Sequence, residues 1–246
     1  MSKKKLGYGL GTLLLAVPFA GFAASGSGID LMDANISHHD RESIRKGAEH
    51  FAEYCMGCHS VKHLRYQRVA EDTGKGENWA KQNLIHDEDT KYHEQMISSM
   101  DPADGEKWFA TAPPDLSTTA RIHGADWIYT YLNTYYQDES ATVGFNNLVQ
   151  PGTSMPHVLA HLQGTPKPVH DDDGKVTEIK PAQGGELSES EYEQMTAELT
   201  AFLAYAAEPI KADRERMGIW VILFLMVMTT VFYLVYKEFW RDLKQK

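Results

Sequence analysis

The segment Cys55-Met56-Gly57-Cys58-His59 holds both cysteines of a 246-residue chain, and its chemistry narrows the possible folds more than any other feature. Cysteines three apart can serve as a redox dithiol, half of a zinc site or a disulfide. Zinc takes four ligands, and no second cysteine pair exists to complete the set. A thioredoxin-type dithiol follows a strand in a βαβ unit, and none is legible around it. The histidine directly behind Cys58 selects another option, because Cys-x-x-Cys-His is the attachment sequence of c-type haem. Thiols on one helical turn reach both vinyl groups, and His59 then lies beneath the iron as proximal ligand. The expectation is a body folded around one covalently bound haem c.

Two apolar segments flank that body. Residues 1–24 combine a basic start (Lys3, Lys4, Lys5), an apolar middle from Leu10 to Phe22 and small residues at Gly21, Ala23 and Ala24. That is the layout of a secretory signal peptide, with an uncleaved anchor as the alternative. Residues 217–236, MGIWVILFLMVMTTVFYLVY, run without a charge and as a helix would reach ~30 Å, the thickness of a bilayer core. The reading is therefore a signal peptide (1–24), a haem body (25–210), a charged linker (211–216), a transmembrane helix (217–236) and a cytoplasmic tail (237–246). Export agrees with haem attachment outside the cytoplasm, and it places the body in the periplasm of a bacterium, held at the inner membrane.

Charge restricts the partners. The chain carries 34 Asp plus Glu against 24 Lys plus Arg, and residues 24–210 hold 30 of those acids with 14 of the bases, a balance of −16. Such a surface repels nucleic acid and attracts a basic protein, although mere solubility accounts for it equally well. Helical spacing of Ile44, Ala48, Phe51 and Ala52 predicts a helix over residues 40–55. Residues 70–107 read as polar and irregular, with turn signals at DTGKGEN and DPADG and a short helix around Tyr92–Met100. Another helix is expected over Ala125–Tyr135, and a β-hairpin in KPVHDDDGKVTEIKP turning at Asp173-Gly174. LSESEYEQMTAELTAFLAYAAEP is the clearest helix, opened by a Ser188/Glu191 capping box and stopped by Pro209. The fold class is mostly α, with long loops and a small β-hairpin.

CMGCHS, KWFATAPPDLS (107–117), MPHVL (155–159), AFLAYAAEP (201–209) and the single C-terminal anchor stand in an order and spacing that resemble the cytochrome c1 family, the haem-bearing subunits of quinol–cytochrome c reductase (the cytochrome bc1 complex). The resemblance spans nearly the whole chain after the signal. It implies a class-I-like c-type cytochrome domain and a His/Met-ligated iron, with Met155 as sixth ligand. From the residues alone Met155 is one of ten methionines, and core packing suits it as well; His157 is a neighbouring rival ligand, read as a surface or packing group. The resemblance also implies an electron carrier with no acid–base residue of its own, set between a Rieske iron–sulfur protein and a soluble cytochrome c, its anchor beside cytochrome b. Pro113 and Pro114 are expected to wall the haem, and a carbonyl of APPDL to hold the His59 imidazole. Trp108, Phe109, Trp127 and Tyr129 are candidate haem-lining residues. Family members carry two basic residues after this motif; here they are Arg121 and His123, the latter replacing an arginine, so either is the propionate partner. His38 and His39 are adjacent and expected to face different ways. A membrane-anchored haem sensor and a free-standing anchored electron shuttle are the alternative functions.

Overall fold

A computed structural model of the chain describes residues 29–171 and 176–241. The signal segment, the Asp173-Gly174 turn and the last five residues of the C-terminal tail lie outside the described residues. In chain order the elements are α1 (Arg41–His50), continued by a π-helical turn (Phe51–Cys55), β1 (Val61–Arg65), α2 (Tyr66–Asp72), α3 (Glu77–Asn83), β2 (Gln95–Met96), α4 (Pro102–Phe109), α5 (Thr119–His123), α6 (Ala125–Asn133), β3 (Tyr135–Gln137), β4 (Phe145–Asn147), α7 (Ala160–Gln163), β5 (Gly164–His170), β6 (Val176–Gly184), α8 (Glu189–Ala207) and α9 (Lys211–Phe239). With α9 counted, about half of the described residues are helical. Its strands form antiparallel pairs, β1 with β2, β3 with β4 and β5 with β6.

The core sits where α1 crosses α8. Phe51 and Phe202 are fully buried with ring centroids 5.3 Å apart. Ile44, Ala48, Leu199 and Leu203 fill the seam around them. Gly47 permits the approach: a Cβ there would lie 1.9 Å from the Glu198 carbonyl oxygen and 2.8 Å from Phe202 Cβ. α8 starts as its sequence predicts. Ser188 Oγ accepts from the Glu191 amide, and the Glu191 carboxylate accepts from the Ser188 amide at 2.9 Å.

Several elements depart from the sequence expectation. No helix covers Tyr92–Met100; the Tyr66 and Gln67 amides donate to the Glu94 and Tyr92 carbonyls and draw that stretch into loop and strand β2. The DPADG turn signal instead opens α4, because Asp101 is its N-cap and Pro102 supplies the pre-set first helical position. α3 also lies inside the region read as irregular. The 211–216 stretch, read as a linker, forms the first turns of α9, which runs unbroken to Phe239. α9 is long and apolar enough to cross a membrane, and none of its residues is buried against the body. That fits a membrane anchor.

Candidate haem site

The approach to the cysteines is set by a widened turn. The Met56 amide donates to the Phe51 carbonyl at 2.9 Å, five residues back, which inserts one π-helical turn after α1. Such insertions re-aim side chains at functional sites. The Cys55 carbonyl then accepts from both the Cys58 amide at 3.0 Å and the His59 amide at 2.8 Å. Cys55, Cys58 and His59 thus share one helical turn. The thiols are half-buried and not joined to each other. Burial, followed by the neighbouring thiol, pushes Cys55 up to about 12, and burial raises Cys58 as well. A redox dithiol needs the opposite, a lowered thiol pKa.

His59 is buried, and its Nδ1 lies 2.8 Å from the Pro114 carbonyl oxygen. A carbonyl only accepts, so Nδ1 carries the proton and Nε2 keeps its lone pair. Burial lowers the imidazole pKa, outweighing the opposing pull of the Pro114 carbonyl and Asp115. The ring is held neutral, in the tautomer that ligates a metal through Nε2. The loop behind it is fastened in turn. The Leu116 amide donates to the Ser60 carbonyl at 2.8 Å. The Asp115 carboxylate accepts from the amides of Lys62 and Ser117, each at 3.0 Å, and Ser117 Oγ accepts from the His63 amide at 3.1 Å. Pro113 packs so closely on α4 that a Cβ at Gly105 would meet its Cδ at 2.5 Å.

Met155 lies half-buried on the irregular segment between β4 and α7. Its segment and the cysteine turn meet in one core, where Leu159 and Leu162 join Phe51 and the Tyr54 and His161 rings stand 5.8 Å apart. The Met155 amide donates to Thr153 Oγ1 at 3.4 Å, and its carbonyl accepts from the Tyr135 hydroxyl at 3.3 Å. His157 is not a surface residue. It is 6% exposed and stacks on Tyr135 at 4.7 Å and 5°, so it packs the loop.

The expected lining residues divide. Trp127 is half-buried in a stack between His123 (4.3 Å) and Tyr131 (5.2 Å). Tyr129 points away into the core near Glu193 of α8, where desolvation first and that carboxylate second raise its pKa. Trp108 is 59% exposed, with Phe109 edge-on beside it. Arg121 and His123 are both exposed at the end of α5. Sequence reasoning passed over Tyr131, Tyr135 and Thr153, although Trp127, Tyr131 and Tyr135 recur every fourth residue. That spacing reads as an ordinary core stripe.

The chemistry of these donors fits a covalently attached haem: two unpaired thiols on one turn, followed by a neutral imidazole with one nitrogen already occupied. Residues 32–243 match the family model described as the Cytochrome C1 family. Cytochrome c1 of Allochromatium vinosum is 41% identical over 239 residues, covering 95% of this chain and 97% of that protein. A Nitrosomonas europaea protein named ammonia monooxygenase gamma subunit is 41% identical over 233 residues, covering 94% and 97%. The cytochrome b/c1 of Bradyrhizobium diazoefficiens is 27% identical over 241 residues, covering 82% of this chain and 34% of its own length.

Proposed function

The chain belongs to the cytochrome c1 family, and on that premise we propose that it carries electrons from a Rieske iron–sulfur protein to a soluble cytochrome c. The carrier would be one haem c, attached through Cys55 and Cys58, with His59 and Met155 the residues that would hold its iron. The observation that carries this reading is the His59–Pro114 bond. It fixes the ring plane and tautomer before any ligand arrives, in the turn that holds both thiols.

Haem would supply one-electron chemistry, and a thioether together with an imidazole in its ligand set would raise its potential. The chain's own residues do the positioning. Cys55 and Cys58 would prevent loss of the group, and the fastened 113–117 loop holds the His59 ring. Met155 would reach the iron from a loop tied to Tyr135 and Thr153. Residues held this firmly would move little between oxidation states, which would favour fast outer-sphere transfer. We assign the propionate contact to Arg121 rather than His123, because the His123 ring is committed to its stack on Trp127. The anchor α9 packs beside cytochrome b in the complex; a relative named cytochrome b/c1, three times longer than the matched region, supports that neighbour. The body faces the periplasm and the tail the cytoplasm.

Mild solubilisation of native membranes and capture of the full chain by a C-terminal tag tests the reading. Cytochrome b and a Rieske protein should co-purify, and added quinol should reduce the haem on this chain. Recovery with an ammonia-oxidising membrane enzyme and no quinol-dependent reduction would refute it.

A further inference from the structure

We propose that Tyr131, Tyr135 and Thr153 form a hydroxyl clamp that positions Met155 and thereby sets the reduction potential of the site. This rests on the reading of Met155 as sixth ligand. A segment without helix or strand has no backbone ladder to fix a side chain, so the Met155 loop needs another device. The clamp holds both backbone groups of one residue. The Met155 amide donates to Thr153 Oγ1 at 3.4 Å, and the Met155 carbonyl accepts from Tyr135 at 3.3 Å. Tyr131 links the two, its hydroxyl 2.8 Å from Thr153 Oγ1 and 2.7 Å from Tyr135 Oη. Tyr135 has one hydroxyl hydrogen and two acceptors in reach, so that hydrogen is shared between Tyr131 and Met155.

The rings cannot swing away. Tyr135 is 1% exposed, lies between the Tyr131 ring at 5.2 Å and the His157 ring at 4.7 Å, and so grips the loop at two positions. The loop's root is tied as well. Asn147 Nδ2 donates to the Tyr131 carbonyl at 2.7 Å, its Oδ1 accepts from the Val149 amide at 2.9 Å, and Asn147 is the strand partner of Tyr135. Packing alone does not call for these hydroxyls. Phenylalanine and valine fill the same space without the cost of desolvating three polar groups, a cost offset only when every group is partnered. Here two of the hydroxyls meet the backbone of one half-buried methionine, and the third joins those two to each other. A thioether is a weak donor, so the population of bound sulfur depends on how firmly its loop is held.

The test uses the full-length holoprotein in its membrane complex. Tyr135→Phe and Thr153→Val each remove one bond to Met155 while keeping the packing volume. Each should shift the ratio of bound to detached sulfur by roughly fivefold, the worth of one net hydrogen bond. The readouts are a weaker far-red sulfur-to-iron band, a lower midpoint potential and new carbon monoxide binding to the ferrous form. Thr153→Ser should restore all three. Tyr205→Phe is the control, since it removes a buried hydroxyl bonded to Asp72 at 2.8 Å, outside the clamp. Wild-type readouts in Tyr135→Phe and Thr153→Val, alongside a Met155→Leu variant that loses the band, would overturn the clamp and leave the ligand standing. An equal loss in Tyr205→Phe would overturn it too, as general destabilisation. A Met155→Leu variant that keeps the band would remove the ligand reading and the clamp together.

Discussion

The two sides of the site are built by different means. The His59 side is local: five consecutive residues place both thiols and the imidazole on one turn, and a single carbonyl fixes the ring. The Met155 side draws on distant residues: its carbonyl accepts from Tyr135 of β3, 20 positions upstream, and its amide donates to Thr153, whose hydroxyl meets that of Tyr131 on α6. On the proposed reading, attachment depends on the segment 55–59 itself, whereas ligation by Met155 depends on how well the whole body is folded. Damage to the first should be all-or-none, and damage to the second graded.

The largest effect expected is on attachment. Cys55→Ala with Cys58→Ala should abolish the covalent haem, so a haem stain on a denaturing gel loses its band. Haem that extracts from the wild type into acidified organic solvent would break the local half of the comparison. Gly47→Ala comes next. Its Cβ would fall 1.9 Å from the Glu198 carbonyl, and overpacking of this kind costs about 1–3 kcal/mol. The melting temperature of the holoprotein should drop while the haem stays attached, and the sulfur band should be lost at a lower temperature than the thioether-bound haem's other absorption. Simultaneous loss would show that the two sides are not independently held.

Smaller effects concern the surface. The acidic body (net −16 over residues 24–210) should make oxidation by a basic cytochrome c slow down as ionic strength rises from about 0.01 to about 0.5 M, where screening shortens from tens of ångströms to a few. Neither ligand-side substitution should alter that salt slope; a flat slope in the wild type would remove the electrostatic docking. The smallest effect is at the join between body and anchor. His38 and His39, adjacent on a turn, each meet a different residue of the first turns of α9: Lys211 Nζ donates to His38 Nε2 at 2.8 Å, and His39 pairs with Glu215 at 3.3 Å. Burial first, then Lys211, lowers the His38 pKa, opposed by Glu215. A depressed folded pKa favours the neutral ring, so the contact is fully stabilising above the ordinary histidine value and weakens as pH falls through the lowered one. Amide protection factors in the first turns of α9, taken relative to the intrinsic exchange rate at each pH, should fall on acidification, and His38→Gln should flatten that response.

Legibility followed the same division. The attachment turn, the α8 capping box and the β5–β6 pairing were readable because each is written in contiguous residues with its own turn or cap chemistry. The π-helical turn was not, because it begins at Phe51 and leaves the apolar spacing of Ile44, Ala48 and Phe51 unchanged. Asp101-Pro102 misled because the residues that favour a turn also start a helix. The hydroxyl contacts of Tyr131 and Tyr135 are not legible in the sequence: their stripe is what a buried helix face requires, and only the tertiary fold brings Thr153 to the Tyr131 hydroxyl. The Arg216 boundary of the linker dissolved for a related reason, since a charged stretch next to a long apolar helix is free to continue it.

We propose that His59 and Met155 would together hold one iron, and the ferric spectrum of Met155→Leu decides whether they do. Leucine keeps the volume at a packing cost below about 1.5 kcal/mol but offers no lone pair. The far-red band should vanish, the ferrous form should bind carbon monoxide, and the midpoint potential should fall, although the haem stays attached. Leucine at Met96 or Met195, both buried in the core, should leave the band in place. A Met155→Leu protein that retains the band and the potential, while either core variant loses them, would contradict the claim.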